Sequence, residues 1–157
     1  MKEIRWHARA GQGAKTASQM LAVALLRSGK SVQAFPEYGP ERRGAPLRAF
    51  TRYDDRPIRR HDAVTAPDVV VVLEPSLTHE IDVTAGLKPN GLLLDAGALD
   101  APREATNVFM AGALAAALGE PPLETLQDAA VELLGRKAGA EAVRAAVAAG
   151  YEKVQVR

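Results

Sequence analysis

Val69-Val70-Val71-Val72-Leu73 is an uninterrupted apolar run. A strand with one wet face alternates apolar and polar residues, so a run of this kind reads as a central strand covered on both faces. The chain must then place other elements on either side of a sheet. Leu92-Leu93-Leu94-Asp95 reads as a second buried strand with a polar residue at its carboxyl end. Lys2 to Trp6 and Leu47 to Tyr53 alternate with period two, and Ser31 to Phe35 is a further short strand.

The helical signals fall between and after these strands. Ala17, Met20, Leu21, Ala24 and Leu25 recur at helical spacing and form one apolar stripe, with Gly29 as the stop. Ser76 is placed to cap a short helix running to about Ala85, with Gly86 closing it. Val108 to Leu118 reads as a buried helix, and Leu123 to Leu134 and Ala140 to Ala149 as amphipathic ones. The expectation is one α/β domain spanning 1–157: a three-layer α/β/α arrangement on a largely parallel or mixed sheet, with Leu47–Tyr53 as its antiparallel or edge member.

Composition excludes several chemistries. Without cysteine the chain holds no disulfide, thiolate nucleophile or cysteine-ligated iron–sulfur cluster. The three histidines, His7, His61 and His79, have no helical ligand spacing, so no metal site is expected. A net charge of +1 argues against broad nucleic-acid binding. No apolar run approaches the roughly 20 residues that cross a bilayer, and a cytoplasmic location is the default expectation.

Two segments carry the chemistry. In the first, Gly11-Gln12-Gly13 sits where a strand hands over to a helix. Glycine permits positive φ and close approach to the backbone there, and the helix start attracts phosphate or carboxylate. Lys15 adds a charge and Thr16 a hydroxyl. Ala14 separates Gly13 from Lys15, so the segment is not a Walker loop; Thr16 stands where a dinucleotide fingerprint needs its third glycine. A tight turn without ligand stays open beside the anion-site reading, and a nicotinamide enzyme is a weaker third. In the second segment, Pro36, Pro40 and Pro46 stiffen a loop that carries Tyr38, Arg42 and Arg43. The two arginines can grip a carboxylate or phosphate bidentately, or the loop is simply a rigid surface element. Arg42, Arg43, Arg48, Arg52, Arg56, Arg59 and Arg60 crowd into one stretch, partly balanced by Glu41, Asp54, Asp55 and Asp62, which reads either as a solvated, salt-bridged edge or as a charged surface with a binding role. His7 reads as a packed residue and His79 as an exposed one. No acid/base pair or nucleophile stands out, so no catalytic residue is assigned.

At these two segments the sequence resembles the gamma subunit of 2-oxoacid:ferredoxin oxidoreductases, of the pyruvate/2-oxoisovalerate type. That family's His-Gly-Arg-Gly-Gly-Gln-Gly followed by Thr-Ala is matched by His7 through Gly13 with Thr16-Ala17, Ala8 and Ala10 replacing two glycines. Its second motif is matched from Gln33 through Pro46, and further likeness covers Ala49–Arg52, Pro67-Asp68, Gly86–Pro89 and Asn107–Leu114. The resemblance implies a complex that oxidatively decarboxylates a 2-oxoacid to an acyl-CoA and passes electrons to ferredoxin. Thiamine diphosphate and iron–sulfur clusters would sit in partner alpha, beta and ferredoxin-like delta subunits. This chain, inactive alone, would help bind coenzyme A through Gly11, Gln12, Gly13, Lys15 and Thr16, with Arg42 and Arg43 at the coenzyme A channel or a subunit junction. A stand-alone coenzyme A- or nucleotide-binding module is the alternative.

Overall fold

The computed structural model describes residues 1–37 and 44–155; Tyr38, Arg42 and Arg43 lie outside them. Five strands form one sheet: β1 (Lys2–Arg9), β2 (Ser31–Pro36), β3 (Pro46–Asp54), β4 (Val69–Val72) and β5 (Leu92–Asp95). Their order is β2-β3-β1-β4-β5. β1 pairs parallel with β4, and β4 with β5, whereas β3 pairs antiparallel with both β1 and β2. Four strands therefore share one direction and β3 alone opposes them. The sheet is mixed and the fold α/β, and the antiparallel member lies inside the sheet, not at its edge.

The helices are α1 (Ala14–Arg27), α2 (Thr106–Leu118), α3 (Leu123–Ala138) and α4 (Ala140–Gln155). The stripe of Ala17, Met20, Leu21, Ala24 and Leu25 is fully buried, as its period requires. It meets Ile4, Trp6 and Ala8 of β1, Val69 and Val71 of β4, and the buried faces of the other three helices in one core. The opposite face of β4, Val70 and Val72, packs on Leu77 and Val83. The valine run is covered on both sides, as expected, the second cover being built around Leu77 and Val83. Between β4 and β5 the chain makes a 3-10 turn, Pro75–His79, capped by Glu74, whose side chain accepts from the Ser76 N–H. The expected helix from Ser76 to Ala85 is thus replaced by one turn beginning at a proline.

Two further expectations are corrected. Leu92 and Leu93 are exposed and only Leu94 is buried, because β5 is an edge strand with thin cover. Arg52, expected on a solvated edge, is wholly buried. Its guanidinium forks onto one Glu3 carboxylate oxygen at 2.8 and 2.9 Å and also donates to the Gln33 side chain and the Asp62 carbonyl.

α2 and α4 touch backbone to backbone. A Cβ on Gly112 would stand 2.1 Å from the Val147 carbonyl oxygen, and one on Gly150 would stand 1.8 Å from that of Phe109. This crossing brings the α3–α4 corner over the start of α2, beside the glycine turn. Among the described residues no helix is long and apolar enough to cross a membrane.

Candidate functional site

Gly11 and Gly13 take φ of +92° and +81°, the left-handed values that the turn from β1 into α1 demands. Ala8 is buried inside β1, and Ala10 does not take positive φ, so neither alanine obstructs the turn. Gln12 closes the loop on itself: its Oε1 accepts from the Arg9 N–H at 2.6 Å. Its Nε2 donates to Glu74 at 2.8 Å, tying the turn to the end of β4. Partial burial pushes the Glu74 carboxyl up, but the hydrogen bonds from Gln12 and Ser76 and the nearby Arg9 charge outweigh it and leave its pKa below the ordinary carboxylate value. Arg9 reaches from the end of β1 to Glu80 at 2.5 Å and to the Ser76 hydroxyl at 3.0 Å.

α1 begins without a side-chain cap or an acid in its first turn. The same is true of α2. The two helix starts face each other across Gly13, whose carbonyl lies 3.5 Å from the Asn107 side-chain amide. Each start carries a positive dipole end, and α2 continues directly from a 3-10 turn at Arg103–Ala105. They open into a cleft of about 940 Å3, within the range of small-molecule sites. Gly11, Gln12, Gly13, Lys15 and Thr16 all line it.

The same cleft is lined by Arg103 before α2 and by Lys137 at the end of α3. Lys15, Arg103 and Lys137 have no ion-pair partner among the described residues, whereas Arg9, Arg27, Lys30, Arg48, Arg52, Arg60, Lys88, Arg144 and Lys153 are paired. Glu104 is the one carboxylate among the lining residues. Three cations without an ion-pair partner among the described residues, and two helix starts without a side-chain cap, make this cleft electropositive, suited to phosphate or carboxylate oxygens.

All five described residues that the sequence pointed to meet here. Arg103, Asn107, Lys137 and Glu74 were not assigned a role from sequence. Arg103 and Asn107 follow a strand and open a helix, a local signal that was available; Lys137 is brought in only by the packing of α3 and α4.

On the far side of β1, His7 is 2% exposed and accepts from Arg5 at 2.9 Å. Burial, then the Arg5 and Arg48 charges, lower its pKa from 6.5 to about 4, so it is neutral near pH 7. Arg5 in turn donates to the Val83 carbonyl at 3.0 Å and to that of Ala85. His7 is a packed residue away from the cleft. Among the described residues no group of three His, Asp or Glu is gathered for a metal.

Residues 3–106 match the protein family described as pyruvate ferredoxin/flavodoxin oxidoreductase. The chain is 43% identical to the pyruvate/ketoisovalerate oxidoreductases common subunit gamma of Thermococcus kodakarensis, over 93% of this chain and 94% of that one. The crystal structure of pyruvate oxidoreductase subunit PORC from Thermotoga maritima superposes with a TM-score of 0.81 at 39% identity, covering 96% of this chain and 95% of that one. A 2-oxoglutarate:ferredoxin oxidoreductase from Magnetococcus marinus, solved with 2-oxoglutarate, coenzyme A and succinyl-CoA bound, shares the fold at 16% identity and a TM-score of 0.68, covering 99% of this chain and 30% of that one.

Proposed function

The chain belongs to the pyruvate ferredoxin/flavodoxin oxidoreductase family as a gamma subunit of a pyruvate/2-oxoacid ferredoxin oxidoreductase complex, and from that membership we propose that its cleft binds the phosphate groups of coenzyme A for the complex. The observation that carries this reading is the convergence of Lys15, Arg103 and Lys137, none with an ion-pair partner among the described residues, on two helix starts without a side-chain cap. Coenzyme A carries a 3′-phosphate and a pyrophosphate, and each would find a cation and backbone N–H groups within one cleft. Among the described residues the cleft holds no nucleophile or proton-transfer pair. Thiamine diphosphate, the iron–sulfur clusters and the decarboxylation belong to partner alpha, beta and delta subunits on this reading.

Arg42 and Arg43 keep their proposed place at the coenzyme A channel or a subunit junction. The complex is cytoplasmic, and the 2-oxoacid is pyruvate or a branched-chain analogue. Calorimetric titration of the assembled complex with coenzyme A tests the cleft. Lys15→Ala, Arg103→Ala and Lys137→Ala should each weaken binding by about tenfold, as loss of one charge-assisted contact would. Undiminished affinity in all three variants would remove the ligand from this cleft.

A further inference from the structure

β5 closes the sheet on one side and β2 on the other, and the two edges are finished differently. β2 carries polar Ser31 and Gln33 and ends at Pro36, and its Gln33 side chain donates to the Arg60 carbonyl at 2.8 Å. Polar residues and proline blunt a free edge against a further strand. β5 has neither between Leu92 and Leu94. Its backbone is bonded on one side only. Leu92 and Ala96 donate to the Asp68 and Val72 carbonyls, so alternation turns the Leu93 N–H, the Leu93 carbonyl and the Asp95 N–H away from β4, where the sheet ends.

The side chains match this open edge. Leu92 is 39% exposed on the side of the helices. Leu93 is 41% exposed on the side of Leu77, where partly buried Ile81 and Leu87 extend the apolar surface. Apolar side chains beside unbonded backbone form a template for strand addition. A second copy is a poor occupant. Two leucines on a four-residue strand fall far short of the roughly 800 Å2 per partner that a stable dimer buries. The occupant must be anchored elsewhere as well, as a subunit of the same complex is. The chain also has less of its own with which to cover an edge. The Thermococcus kodakarensis subunit aligns over 173 positions, more than the 157 residues here, so it carries an internal stretch without a counterpart in this chain. We infer that the β5 edge is a docking strand, to which an extended, apolar segment of a partner subunit adds, bonding to the Leu93 and Asp95 backbone and packing on the Leu92 and Leu93 side chains. This rests on membership of the complex and not on the coenzyme A reading of the cleft.

The test co-expresses a variant and the unmodified chain, differently tagged, with the partner subunits, and reads their ratio in the purified complex by mass spectrometry. Leu93→Lys, which sets a charge at the edge, should fall about tenfold behind the unmodified chain. Leu93→Ile, which keeps an apolar strand former, should enter the complex as the unmodified chain does. Backbone hydrogen exchange on the assembled, unmodified complex gives a second reading that needs no variant. The Leu93 and Asp95 amides should be protected as well as that of Leu94, which faces β4. Equal entry of Leu93→Lys, or Leu93 and Asp95 amides that exchange at the rate of exposed loops, would overturn the inference. If Leu93→Lys fails to fold, the exchange result decides alone. Light scattering that finds the isolated chain dimeric and its Leu93→Lys variant monomeric would make a second copy the occupant and overturn it too.

Discussion

The Gln12 amide donates to the Glu74 carboxylate at 2.8 Å, and this one bond joins the glycine turn of β1 to the end of β4. Glu74 also caps the 3-10 turn that follows it, so one side chain holds two loops. Glu74→Ala removes an acceptor and a cap together and should destabilise the chain by about 1–2 kcal/mol in urea denaturation. Glu74→Gln keeps an acceptor oxygen and should lose less. Equal losses would mean that charge, not the bond to Gln12, is what matters.

Gly11 and Gly13 share positive φ but differ in surroundings. A Cβ on Gly11 meets nothing within 4 Å, whereas one on Gly13 would stand 2.5 Å from the Asn107 amide nitrogen. Gly11→Ala should cost about 1–2 kcal/mol from the left-handed backbone alone. Gly13→Ala should cost more, and Asn107→Ala in that background should recover the excess. A double-mutant cycle by urea denaturation measures it; additive losses would deny the contact.

Arg52 and Glu3 form a buried pair on the sheet face turned away from the helices. Arg52→Ala leaves the buried Glu3 carboxylate with only the 4.0 Å contact to Arg60 and should cost about 3 kcal/mol. Arg52→Met combined with Glu3→Leu should be much milder, because neither charge is stranded. Thermal unfolding of the three variants gives the comparison, and a double variant as damaged as the single one would contradict it.

His7 sets a pH dependence. The unfolded chain takes up this proton near pH 6.5 and the folded chain near 4. The unfolded state therefore binds more protons between those values, and stability falls as pH drops through that window. It is fully present above pH 6.5 and lost towards pH 4, a change on the order of 3 kcal/mol. His7→Gln keeps an acceptor for Arg5 and should flatten this part of the stability profile. A profile unchanged by the substitution would assign the acid sensitivity elsewhere.

The sequence by itself determined the elements and the turn. Apolar period marked α1 and the buried valine strand, and two glycines flanking Gln12 marked the left-handed passage, because these are local constraints on backbone and burial. It also located Lys15 and Thr16 beside that turn. Only the tertiary structure decided what stands opposite. Lys137 lies more than a hundred residues from Gly13 and arrives at the cleft because Gly112 and Gly150 let α4 press against α2. Glu74 meets Gln12 because β1 and β4 pair in parallel, and Arg52 is buried because β3 inserts between β1 and β2. Sequence spacing encodes which face a residue takes within its own element. Which residues share a cleft depends on strand order and helix crossing, and these are settled by packing across the whole sheet.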